Sequence, residues 1–157
     1  MRLHKDVEYC LISLIALDEG DAVVSAAELS RRFGIPRSLL AKLLQSMQRG
    51  GLIEAERGPR GGYRLRRPLA GITVREVSET LHGSVRLAPC LGGEPCAQLP
   101  SCSIRHGVWT LQGLVDGLLG SLSLAQLAAV PASGNRETPP AVSGGEPGEL
   151  QAAEARA

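Results

Sequence analysis

Val7, Leu11, Leu14 and Ile15 fall three or four residues apart, the spacing of one face of a helix. They predict a helix over 4–17, with Gly20 in the turn that follows. Ser25-Ala26-Ala27-Glu28 has the form of a capping box, in which the Ser25 hydroxyl accepts from the Glu28 backbone and Glu28 reaches back. It opens a short helix that stops near Gly34. Pro36 then stands at a first helical position, where a missing N–H costs nothing. The second helix runs to about Gly50-Gly51. Its apolar residues Leu39, Leu40, Leu43, Leu44 and Met47 make one stripe. Arg37, Ser38, Ala41, Lys42, Gln45 and Gln48 make the opposite face.

Two short helices joined by a tight glycine turn form a helix-turn-helix pattern. Many helical bundles have such corners, so the residues that follow matter more. Residues 52–57 and 63–67 read as strands around Gly58-Pro59-Arg60-Gly61-Gly62, with Leu52, Ile53, Tyr63 and Leu65 at apolar positions. A helix-turn-helix followed by a basic hairpin is a winged helix. Thr73-Val74-Arg75-Glu76 repeats the capping pattern and opens a helix to about His82, ended by Gly83. Pro89, Pro95, Pro100 and Gly92-Gly93 break regular structure over 84–102. From Ser103 to about Leu122, the residues Ile104, Val108, Leu111, Val115, Leu118 and Leu122 form a coiled-coil-like seam. Residues 123–130 read as a short docking helix.

The expected fold is therefore mainly α. A winged helix-turn-helix domain with a two-stranded wing occupies 1–83, and a cysteine-rich loop occupies 84–102. A long C-terminal dimerisation helix and docking segment cover 103–130. Residues 131–157 hold four prolines among Gly, Ser and Glu, with little to bury, and read as a disordered tail.

Charge sharpens this picture. The chain's net charge is only +1, yet residues 31–67 hold ten Arg or Lys against Glu54 and Glu56. That local excess is the footprint of a nucleic-acid surface. Arg37, Ser38 and Lys42 are placed to face the major groove from the second helix. Arg57 and Arg60 put the wing at the minor groove. Aromatics are 3% of the chain, so the core must be aliphatic. No segment approaches the ~20 apolar residues that span a bilayer. The apolar run Cys10–Leu17 lacks a signal-peptide cleavage pattern. The expected location is cytoplasmic, where thiols stay reduced and serve metal or redox roles. No nucleophile–base pair, nucleotide loop or paired carboxylates point to an enzyme.

Cys90, Cys96 and Cys102 are separated by five intervening residues each. Thiolates suit iron–sulfur clusters, zinc or copper(I), and these gaps differ from the Cys-x-x-Cys knuckles of zinc ribbons. Pro89 and Pro95 stiffen the loop before two of the cysteines, which lowers the entropy lost on ligation. Cys10 lies among apolar helix residues and reads as core. Three cysteines leave a cluster one ligand short. His106, four residues after Cys102, is one candidate, and Glu8 of the partner subunit is the other.

Together these pieces resemble the Rrf2 family of bacterial winged-helix regulators over about residues 1–130. The resemblance is carried by Met1-Arg2-Leu3 with Glu8-Tyr9, by Arg57-Gly58-Pro59-Arg60-Gly61-Gly62-Tyr63-Arg64-Leu65 and by the three cysteines. Cys102-Ser103-Ile104-Arg105-His106-Gly107-Val108-Trp109 also matches the family's start of its dimerisation helix. It implies a homodimer with crossing long helices, bound to double-stranded DNA at a two-fold site. It implies a two-iron or four-iron cluster on Cys90, Cys96 and Cys102. Some members take the fourth ligand from a His three residues after the last Cys, where this chain has Arg105. Others take it from an acidic residue on the partner's first helix, which matches Glu8. The resemblance thus favours Glu8 of the partner subunit over His106. Arg57 matches the family's wing arginine and Ser38 a recognition-helix serine. Ala41 stands where some members carry a specificity-giving Glu, so their DNA sequence is not carried over. The rival expectations are a metal-free thiol switch, a zinc-stabilised regulator, and a DNA-binding module that recruits an enzyme.

Overall fold

The computed structural model describes residues 3–20, 23–58 and 61–130. The Met1-Arg2 opening, Arg60 of the wing and the 131–157 tail lie outside the described residues. The elements follow in the order α1 (Lys5–Leu17), α2 (Ala26–Phe33), α3 (Arg37–Arg49), β1 (Ile53–Glu56), β2 (Gly62–Leu65), α4 (Val74–His82), α5 (Arg105–Ser121) and α6 (Leu124–Ala129). The architecture is mainly helical, with one two-stranded antiparallel sheet as the wing.

Local signals place the helix ends. The Ser25 and Thr73 hydroxyls each accept from the backbone N–H three residues on, at 3.2 Å. Both caps are single-armed, and Glu76 instead pairs with Arg67. A complete capping box stands at α6, where Ser123 accepts from the Gln126 N–H and its own N–H donates to Gln126 Oε1. Gly34 ends α2 at φ +63°, a left-handed conformation that glycine adopts without a Cβ clash. Pro36 is one position earlier than the sequence suggests: it is the N-cap, with extended ψ of 130°, and Arg37 is the first helical residue.

The core is aliphatic. Leu14 of α1, Leu29 of α2, Leu40, Leu44 and Met47 of α3, Ile53 of β1 and Val77 of α4 are all fully buried in one cluster. Cys10 is buried there too, and that burial, with the nearby Asp6 charge, pushes its thiol up to about 12. α6 folds back onto the domain: Val74 N–H donates to the Leu122 carbonyl and Leu124 N–H to the Ile72 carbonyl, and Leu124 is fully buried.

The seam expected along α5 divides in two. Leu122 of that seam, with Leu119 outside it, packs against the chain's own core, and Gln112 is buried on the same helix. Leu114, outside the expected seam, joins Ile104, Leu111 and Leu118 on an outer face 51–68% exposed. Periodicity alone cannot separate two apolar stripes on one helix, because each recurs at the same spacing.

The wing strands pair Ile53 with Leu65, Glu54 with Arg64, Ala55 with Tyr63 and Glu56 with Gly62. Val24 bridges the free edge of β2, exchanging both backbone hydrogen bonds with Tyr63 at 2.9 and 3.0 Å. This pairing brings backbone so close to Gly62 that a Cβ there would lie 2.6 Å from the Val24 carbonyl oxygen. Backbone cannot swing aside as a side chain can. Gly62→Ala is therefore expected to cost about 1–3 kcal/mol, the range of overpacking. Urea unfolding measures it, and an unchanged midpoint would rule out the close approach.

Candidate nucleic-acid interface and cysteine loop

Burial of Leu40, Leu43, Leu44 and Met47 turns one side of α3 inward. Arg37, Ser38, Ala41, Lys42, Gln45 and Gln48 are left exposed on the other. No side chain caps the start of α3. Its first N–H groups therefore have no side-chain cap, and Arg37 and Ser38 beside them are exposed, an arrangement suited to a phosphate. Arg57 follows β1 and is exposed at the wing.

The basic residues divide into two groups. Arg32 pairs with Glu19 at 2.6 Å, Arg64 with Glu54 across the wing at 2.6 Å, and Arg67 with Glu76. These pairs brace the domain surface. Arg31, Arg37, Lys42, Arg49, Arg57 and Arg66 are exposed. Arg37, Lys42 and Arg49 make α3 basic, and Arg57 and Arg66 flank the wing strands; these are the two elements a winged helix presents to DNA.

The cysteine loop begins after Gly83 and runs to α5. Two short 3-10 turns, Pro89–Gly92 and Leu99–Ser101, are its only regular elements among the described residues. Cys90, Cys96 and Cys102 are free thiols of intermediate burial. Their three sulfurs do not lie within 4.8 Å of one another, the spacing that would hold a single ion. Among the described residues, the ligand atoms that do converge belong to His4, Asp6 and His82. Glu8 lies on the outer side of α1, its side chain 41% exposed and paired with Lys5 at 2.7 Å. His106 is exposed in the first turn of α5.

One residue that sequence reasoning missed fastens this loop. Gln112 is buried in α5. Its Nε2 donates to the Val85 carbonyl at 2.7 Å, and the Leu87 N–H donates to its Oε1 at 2.9 Å. The amide thus pairs with the chain as a neighbouring strand would. Nε2 also donates to Asp116 Oδ1 at 2.9 Å. A lone glutamine within an apolar helix is the only trace of this in sequence, because its partner is backbone and leaves no residue signature.

Where α4 ends and the loop begins, His82 Nε2 lies 2.9 Å from Asp6 Oδ2. Burial works against ionisation of Asp6. The hydrogen bond and charge of His82, with the Val7 and Asp6 N–H groups, outweigh it and hold the carboxyl below its ordinary value. The pair joins the start of α1 to the end of α4.

A helix-turn-helix with an exposed basic second helix, followed by a two-stranded wing, defines a winged-helix DNA-binding regulator. The comparisons narrow this class. The profile of Rrf2, described as iron-dependent transcriptional regulator, matches residues 3–130. The HTH-type transcriptional regulator IscR of Xenorhabdus nematophila is 35% identical over 130 residues, covering 81% of this chain and 79% of that one. Among solved structures, CymR, the global cysteine regulator of B. subtilis, superposes with a TM-score of 0.67 at 22% identity, covering 83% of this chain and 98% of that one. IscR of T. potens superposes with a TM-score of 0.63 at 23% identity, covering 81% and 85%. The chain belongs to the Rrf2 family and is a transcriptional regulator. No helix among the described residues is long and apolar enough to cross a membrane.

Replacing Gln112 with Ala strands the Val85 carbonyl and the Leu87 N–H together. An unsatisfied buried polar group costs about 1–3 kcal/mol. Amide hydrogen exchange at Leu87 should accelerate while the α3 amides keep their protection. Unchanged exchange at Leu87 would show that the clamp holds nothing.

Proposed function

We propose that this chain is a homodimeric cytoplasmic regulator, a repressor or dual regulator, whose hold on DNA is set by an iron–sulfur cluster. Cys90, Cys96, Cys102 and Glu8 of the partner subunit would hold it. Three half-buried thiols, in a loop between the DNA-binding domain and an exposed apolar helix, carry this conclusion. The donor set fits: three soft thiolates suit iron–sulfur ligation. The loop fits as well, since Pro89, Gly92, Gly93 and Pro95 are all exposed and can rearrange without emptying the core. When bound, such a cluster supplies a centre sensitive to redox state, nitric oxide, oxygen or iron supply.

The chain's own residues do the rest. Arg37, Ser38 and Lys42 read base edges in the major groove, while the uncapped start of α3 receives a phosphate. Arg57 and Arg60 carry the wing into the minor groove, where narrow A·T stretches attract arginine. Leu111, Leu114 and Leu118 bury their exposed face against a second copy, since a lone chain would leave it as an apolar patch. Two copies then set two recognition helices about the two-fold axis of a palindromic site. A surface ion pair such as Glu8–Lys5 is weak, so the Glu8 carboxylate is released to a partner's loop at small cost. Gln112 ties that loop to α5. A change in how the loop is held therefore shifts α5, and with it the spacing of the recognition helices.

A second reading rests on the same three free thiols: a metal-free switch through reversible disulfides. Anaerobic purification separates the two. Brown protein with visible absorption, lost with its iron and sulfide in Cys96→Ala but kept in Cys10→Ala, supports the cluster. Colourless protein whose free-thiol count falls on mild oxidation supports the switch.

Glu8→Ala should alter the visible spectrum and speed reaction with nitric oxide or oxygen while keeping most of the iron, and His106→Ala should do little. One position along a helix is a rotation of about 100°, so His106 points away from the direction Arg105 occupies. The reverse pattern would assign the fourth ligand to His106.

Arg57→Ala should weaken specific DNA binding by about 1–3 kcal/mol if its side chain reads a base or a narrow groove. Salt titration of binding checks the alternative. A phosphate contact alone would weaken all sequences equally and reduce the salt slope by about one.

A further inference from the structure

We propose that His4, Asp6 and His82 form a binding site for a first-row divalent cation of the zinc class, separate from the cysteine loop. The three residues come from elements far apart in sequence. His4 is the N-cap of α1, Asp6 lies in its first turn, and His82 ends α4. One ligand atom from each lies within 4.8 Å of the other two. His82 Nε2 is 2.9 Å from Asp6 Oδ2, and the two imidazole centroids are 4.8 Å apart. Bonds of about 2.0–2.2 Å to a tetrahedral ion place ligands roughly 3.3–3.5 Å apart, so closure needs only side-chain rotation.

The backbone beneath the site is already held. Val7 and Val77, one residue from Asp6 and five from His82, are fully buried where α1 meets α4. A simple helix-packing ion pair would account for Asp6 and His82. It does not include His4, which makes no capping bond to α1 and whose ring stands against that of His82. Two imidazoles and one carboxylate suit zinc, cobalt or nickel, whereas magnesium and calcium prefer oxygen donors throughout. Three protein ligands leave a fourth position for water. The site borders an open cleft of about 300 Å³, whose lining includes His4, His82, Val85 and Leu119, so an ion has a path from solvent.

The placement has a consequence for the rest of the chain. α4 passes through Gly83 directly into Val85–Leu87, the segment Gln112 grips. A cation joining His4 and Asp6 to His82 pins α1 to the root of the cysteine loop. The site does not depend on what the cysteines bind.

Titration of the chelator-treated full-length chain with zinc and with cobalt tests the proposal. The titration is repeated in a Cys90→Ser, Cys96→Ser, Cys102→Ser variant. One equivalent should remain in that variant, and its cobalt spectrum should lack the intense sulfur-to-metal band that thiolate ligands produce. His82→Ala and His4→Ala should each weaken zinc binding by at least about tenfold, the low end of what even outer partners of a metal ligand are worth. Both histidines are exposed, and circular dichroism verifies that the variants fold. Zinc should also raise the melting temperature of the cysteine-free variant, because an ion that binds only the folded state stabilises it. Loss of all binding with the cysteines would overturn the site, as would undiminished binding in both histidine variants.

Discussion

Leu40, Leu44 and Met47 are fully buried against Leu14 and the rest of the core, and that burial leaves α3 only one way to turn. A 13-residue helix with a single apolar stripe cannot present its polar face anywhere but outward. The rest of the proposed DNA-binding surface follows from this constraint. Arg37, Ser38 and Lys42 are exposed because their neighbours at helical spacing are not. β1 then leaves the core at the buried Ile53, which sets where the wing and Arg57 project. The Val24–Tyr63 bridge ties the wing back to the segment before α2, so hairpin and helix-turn-helix move as one body.

Beyond that body, α6 and the start of the cysteine loop are each held by a separate fastening. α6 is held by apolar burial of Leu124 and by backbone bonds to Ile72 and Val74. The start of the cysteine loop is held by the amide of Gln112. α6 thus combines burial with hydrogen bonds, whereas the start of the loop is held by one side chain's hydrogen bonds, which weaken steeply with angle and distance. A loop held this way suits the ligation change proposed for it. α5 lies between them, one stripe committed to its own domain and the other exposed.

α1 is where several of these roles meet. Its inner face supplies Val7, Cys10, Leu11 and Leu14 to the core, and its outer side carries Glu8. Its first turn brings His4 and Asp6 to His82 at the end of α4. Cys10 is fully buried in that core and acts there as packing. The same helix therefore joins core stability, the proposed cluster ligand and the proposed cation site.

Much of the fold was legible in the sequence because its signals are local. The stripe of α3, the caps at Ser25 and Thr73, the glycine that ends α2 and the basic wing each depend on residues within one or two turns of one another. The family likewise was legible, since the wing and the cysteine triplet are contiguous motifs. Three features needed the folded chain. Which stripe of α5 packs inward was decided by α4 and the core, because two stripes share one period. Gln112 gained its role from backbone 25 and 27 residues away, a partner with no side-chain signature. His4, Asp6 and His82 became neighbours only when α1 packed on α4, since spacing along a chain says nothing about the distance between elements that only burial brings together.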